Sequence, residues 1–165
     1  MVLLKLYFHL NAYFYLFLYK IIYGKSFQFG KKVTFRKGFT LMIGDREGKV
    51  IISDGVFFNN YCSVCSINKI EIGKNTIFGE NVKIYDHNHN YKSPAVLIKN
   101  QGYNSKPIII GENCWVGSNV MILKGVKIGD NSVIGAGCVV FKDVKPGSVI
   151  VNQQSLINIK ILNNI

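Results

Sequence analysis

The sequence predicts an all-β fold: a solenoid of short parallel strands wound into three-sided coils, with an apolar helix ahead of it and one extended loop inside it. The first observation is a period of six. Stepping from Ile110 gives Ile110, Val116, Ile122, Ile128, Ile134 and Val140, all Ile or Val, and Gly111, Gly117, Gly129 and Gly135 follow four of them. The second is composition. The chain has 22 Ile and 16 Val against 3 Ala, with 16 Gly and 17 Asn, which favours strands and turns over helix bundles. The third is one break in the period, because six does not divide the 26 residues from Ile84 to Ile110.

Residues 1–30 form an apolar amino-terminal segment, expected to be helical. Within it, VLLKLYFHLNAYFYLFLYKIIY has only 14 residues between Lys5 and Lys20, and these include His9 and Asn11. A spanning helix needs about 20 apolar residues, so a transmembrane reading fails. No small-residue cleavage site follows, so a secretory signal fails as well. The helix is then expected either to pack on protein or to lie at a membrane interface, with Tyr at the headgroups and lysines at its ends.

Residues 31–151 read as the solenoid. Each hexad supplies an inward aliphatic and then a residue, often Gly, that lets the backbone turn a corner. Three hexads close a coil, and stacked coils align the aliphatics in inner ladders. The phase repeats at Ile72, Phe78 and Ile84, and less cleanly at Ile52, Phe58 and Val64. Asn75, Asn81, Asn113, Asn119, Asp130 and Asn131 suit the corners, since Asn and Asp tolerate left-handed backbone. Residues 86–107 must leave the coil as a loop. Residues 152–165 form a tail whose last part alternates like a strand.

The net charge of +11 predicts attraction to something anionic. The basic residues are scattered and carry no nucleic-acid-binding signature, so no nucleic acid partner is expected. Cys62 and Cys65 make a C-x-x-C without a second pair or a nearby His, so the four Cys read as small buried residues. The loop opens with Asp86, His87, Asn88 and His89. Two His without distant partners make a weak metal site, and no metal is expected. Imidazole does suit general-base work, since its ordinary pKa lies near neutrality.

The segment IIIGENCWVGSNVMILKGVKIGDNSVIGAGCVV resembles the hexapeptide-repeat acyltransferases over about residues 40 to 150. The branch it is most similar to is the maltose/galactoside acetyltransferase-like group, close to bacterial polysaccharide O-acetyltransferases. The resemblance implies a left-handed parallel β-helix, acetyl-CoA as co-substrate, and a homotrimer with sites between chains. It implies transfer of acetyl to a sugar hydroxyl of a bacterial surface polysaccharide or its precursor. The cytoplasm, where acetyl-CoA is made, is the expected location, with the inner membrane face within reach of residues 1–23.

Residue by residue, the resemblance makes His89, five positions past Ile84, the base, with His87 second. Asn59 would help hold the acceptor near it, or else be a turn residue. Asp86 would contact the acceptor or orient the base, and Trp115 would border the site. The backbone N–H near Ser118, beside Gly117, matches a group that meets a developing oxyanion. Ala136 and Lys142 match cofactor contacts, while Lys124, Lys127 and Lys145 could meet its phosphates. The tail departs from the family, lacking its usual Pro and Gly turn. Two other readings stay open: an N-acetyltransferase of an amino sugar, and a non-catalytic β-helix scaffold.

Overall fold

The computed structural model describes residues 2–44 and 47–152, with side chains from residue 6 onward. The sequence expectation for residues 152–165 therefore lies almost wholly outside the described residues. The chain opens with helix α1, Val2–Tyr23, then a short 3-10 turn, Gly24–Ser26. A parallel β-solenoid follows.

Three parallel sheets form the sides of the solenoid. The first stacks Phe27–Phe29, Lys49–Ile52, Lys69–Ile72, Ile108–Ile110 and Lys127–Ile128. The second runs from Thr34–Phe35 through Phe57–Phe58, Ile77–Phe78, Trp115–Val116 and Val133–Ile134 to Val149–Ile150. The third stacks Thr40–Ile43, Ser63–Ser66, Lys83–Tyr85, Met121–Leu123 and Val139–Val140. Each coil visits the three in order. We call the bend from first to second sheet the first corner, from second to third the second corner, and from third back to first the third corner.

The six-residue ladder is the inside of this prism. Ile110, Val116, Ile122, Ile128, Ile134 and Val140 are all buried, as are Ile72, Phe78 and Ile84. Register pairs them vertically: Ile72 beside Ile110, Phe78 beside Val116, Ile84 beside Ile122. Lower down the core is aromatic, with Phe58 stacked on Phe78 at 4.6 Å between ring centroids and Phe39 at 4.8 Å from Phe58. Cys62, Cys114 and Cys138 fill buried corner positions, whereas Cys65 is half-buried and all four are free.

The corners bear out the turn reading. Asn75, Asn81, Asn113, Asn119 and Asn131 all have φ between 52° and 58°, the left-handed region. Asp130 differs: it stays outside that region and its carboxylate accepts from the Glu112 N–H at 2.9 Å. The coils are also not uniform. Val64 pairs with Ile84, 20 residues on, whereas Ile122 pairs with Val140, 18 on. The two extra residues lie at the third corner, within Ser66–Asn68, and they bear on the site.

Candidate active site

The interrupting loop leaves at Asp86 and returns at Lys106, whose N–H donates to the Asp86 carbonyl at 2.9 Å. Its base is an antiparallel hairpin in which His87, Asn88 and His89 face Ser105, Asn104 and Tyr103. Residues two apart on a strand share a face. Both imidazoles accordingly meet Tyr103, His87 edge-on at 5.3 Å and His89 tilted at 4.5 Å.

Asp86 has no exposed surface. Its carboxylate accepts from Ser66 Oγ at 2.6 Å, the Asn68 N–H at 2.9 Å and the Ile67 N–H at 3.0 Å. His87 Nδ1 lies 2.9 Å from the same carboxylate. This corrects the sequence expectation that Asp86 contacts substrate: a buried, fully engaged carboxylate cannot. It orients His87 instead. With Nδ1 tied to the carboxylate, the ring's free nitrogen is Nε2, the arrangement that suits an imidazole to take a proton. The three donors lie on the short stretch that breaks the coil length. That signal was present in the sequence, as eight residues from Val64 to Ile72 in place of six.

Two depressions flank the hairpin. His87 and Tyr103 line one of about 320 Å³ with Met42, Cys65, Ser66 and Ile67. His89 lines another of about 500 Å³ with Asn88, Tyr91, Lys92, Asn104 and Lys124. Burial pushes the Cys65 thiol up from its ordinary range, so at neutral pH it is no thiolate nucleophile. Tyr103 escaped the sequence reading, because only the hairpin pairing brings it to the two His. Among the described residues no group of three His, Cys, Asp or Glu gathers to hold a metal.

The remaining candidates sit on other parts of the prism. Asn59, Gly117, Ser118 and Ala136 stack along the second corner. There, corner N–H groups are served by a side chain one coil on: Glu80 N–H by Ser118 Oγ at 3.1 Å, as Lys31 N–H is by Asp54 at the first corner. Above the Ser118 N–H the matching residue is Ala136, which has no acceptor. Among the described residues that N–H meets no carbonyl either. It is a backbone donor left available for an incoming oxygen. Gly117, in contrast, is buried, and its N–H donates to the Ile134 carbonyl at 2.7 Å. A Cβ there would lie 2.7 Å from the Ala136 nitrogen. Gly117 is thus corrected from a cofactor contact to a packing residue that lets two coils approach.

Asn59 is half-buried, and its Oδ1 accepts from the Asn60 N–H at 2.9 Å, a turn role. Trp115 points outward from the second sheet and is 55% exposed. Lys142 lies at the third corner, with its ammonium 5.7 Å from the Phe141 ring centroid. Lys124, at the same corner, is bonded to Asn104 of the hairpin. Lys127 and Lys145 are exposed. The imidazoles, Lys124 and Lys142 therefore share one corner, while Asn59, Ser118 and Ala136 share another.

The bacterial transferase hexapeptide (six repeats) family matches residues 107–142, the stretch with the cleanest period. The chain belongs to the hexapeptide-repeat transferases. Over 101 residues this hexapeptide-repeat protein is 33% identical to WbbJ of Escherichia coli (strain K12), named for lipopolysaccharide biosynthesis O-acetyl transfer. The match covers 54% of this chain and 52% of WbbJ, so the chain spans about half the length of that curated relative. A hexapeptide-repeat acetyltransferase from Vibrio cholerae O1 biovar eltor, solved with acetyl coenzyme A, superposes with a TM-score of 0.68 at 26% identity. That match covers 81% of this chain and 70% of the other. A maltose O-acetyltransferase from Clostridium difficile 630 gives a TM-score of 0.67 at 28% identity, covering 90% of this chain and 83% of the other.

Proposed function

We propose that this hexapeptide-repeat protein is an acetyl-CoA-dependent O-acetyltransferase acting on a sugar hydroxyl of a bacterial surface polysaccharide or its precursor. The observation that carries this is the hairpin: two imidazoles on one face, one of them fixed by a buried carboxylate. WbbJ and the maltose O-acetyltransferase, named for O-acetyl transfer, support the choice of a hydroxyl. The bound acetyl coenzyme A of the Vibrio protein supports the donor.

Acetyl-CoA would supply an activated acyl group as a thioester. The second corner fits such a co-substrate: Ala136 and Gly137 are small and exposed, leaving room for an extended chain, and the Ser118 N–H is available to an oxygen gaining charge. His89, exposed beside the larger depression, takes the proton of the acceptor hydroxyl. His87 and Tyr103 hold its ring on one face. No Cys takes part. Within one chain the imidazoles and the Ser118 N–H lie on different corners of the prism, with the third sheet between them. The site is completed by a second copy presenting its second corner to the hairpin, which supports a homotrimer. The reading places the enzyme in the cytoplasm, with residues 1–23 in contact with the inner face of the membrane.

Mass spectrometry of candidate glycans incubated with acetyl-CoA tests the reading. The expected product is a single added acetyl on oxygen, stable on an acceptor without amino groups and removed by mild base. Acetylation only of amino sugars would make it an N-acetyltransferase. No transfer, and no release of free coenzyme A with any sugar, would favour the scaffold.

A further inference from the structure

We propose that the amino-terminal end of the solenoid is a docking face for anionic phospholipid, with α1 lying flat among the headgroups. This deepens the membrane contact included in the functional reading and names its chemistry. One face of α1 is spent on protein: Ala12 and Leu16 are fully buried, and Tyr19 and Tyr23 pack on the core. The opposite face is a stripe of Tyr7, Leu10, Phe14, Phe17 and Ile21, spaced by three and four residues and each 59–64% exposed. No charge interrupts it, because Lys20 turns back to donate to the Phe27 carbonyl at 2.7 Å. A surface helix that is apolar on both faces needs a second apolar partner. Among the described residues no helix is long and apolar enough to cross a membrane.

Charge identifies the partner. Seven of the 20 Lys and Arg, and none of the nine Asp and Glu, lie in residues 1–44, so +7 of the net +11 sits at this end. Lys31 and Lys32 mark the first corner of the first coil, and Arg36 and Lys37 its second corner, so basic pairs flank the helix. The Lys32 N–H donates to the Tyr13 hydroxyl at 3.2 Å, and the Arg36 guanidinium lies 5.2 Å from the Phe8 ring centroid. Arg36 and Lys37 line a cleft of about 480 Å³ between α1 and the first coil, together with Tyr7, Phe8, Tyr15 and Phe39. An apolar stripe rimmed by cations matches acyl chains beneath a layer of phosphates. A second copy docking face to face would set one +7 end against another, a like-charge repulsion.

Co-sedimentation with vesicles tests this, using phosphatidylcholine alone or mixed with phosphatidylglycerol. The full chain is expected to bind the mixed vesicles, to release as salt is raised, and to bind pure phosphatidylcholine much less. Arg36→Gln with Lys37→Gln should weaken binding to the mixed vesicles roughly tenfold or more. Phe14→Glu with Phe17→Glu should remove it, with circular dichroism confirming that the solenoid persists. Equal binding to both vesicles, or none to either, overturns the proposal. A fall in oligomeric mass on Phe14→Glu with Phe17→Glu, while the wild type ignores vesicles, would assign the stripe to a second copy. Coenzyme A release with a soluble acceptor is read in parallel. Vesicle binding without acetyl transfer would leave the lipid face standing and remove the acetyltransferase, and the converse would remove only the lipid face.

Discussion

Asp86 shows how a single side chain can join fold to chemistry. Its carboxylate has four donors around it and no contact with water, so removing it strands several buried polar groups. Asp86→Ala should cost on the order of 3 kcal/mol or more, read as a shifted urea midpoint. Asp86→Asn, which keeps the volume, should fold better yet lose the hold on His87. His89→Ala should lower kcat by about 100-fold or more if it removes the base. His87→Ala should be the milder of the two. The reverse order would move the base to His87, the ring with the carboxylate partner. Alkaline conditions should also weaken the fold. Burial raises the thiols of Cys62, Cys65 and Cys114 and the phenols of Tyr19 and Tyr85. A group raised in the folded state contributes fully below its unfolded pKa, and that contribution is lost as pH climbs through the folded one. The urea midpoint should therefore hold at neutral pH and fall above about 8.5, where unfolded Cys begins to ionise.

At the scale of elements, the coil is regular where the corner chemistry is regular. Each corner needs one residue in the left-handed region and one place where backbones nearly touch. Gly117→Ala would push a Cβ to within 3.0 Å of the Ala136 Cα as well as 2.7 Å from its nitrogen. Backbone cannot swing aside as a side chain can. The variant should unfold at lower temperature, by several degrees for a loss of about 1–2 kcal/mol. The hairpin is a different kind of element. It packs few apolar side chains, and most residues from Tyr91 to Asn100 are exposed, so its shape depends on closure at Asp86 and Lys106. Hydrogen exchange should find the amides of 88–104 far less protected than those of the ladder strands.

For the whole molecule, the corner geometry matters most. A three-sided prism puts the imidazoles on one edge and the Ser118 N–H on another, so one chain holds two halves of different sites. Two inactive variants should then rescue each other. His89→Ala and Ala136→Trp, dissociated together and reassembled, should regain activity at on the order of a quarter of the sites. If the mixture stays as inactive as its components, each site is confined to one chain.

The period of six fixed the inside of the prism before any coordinates, because burying Ile110, Val116 and Ile122 in one ladder requires only a repeat and a turn residue. It likewise marked the loop, since a broken period has no place in a stacked coil. The roles around that loop were a matter of three dimensions. Asp86 and Gly117 looked like ligand contacts in the sequence. Burial made one a brace for His87 and the other a spacer between coils, and only hairpin pairing delivered Tyr103. Periodic burial is a local, repeating demand that a sequence spells out. The partner of a single carboxylate, or the room left above one N–H, depends on which distant residue the next coil happens to place there.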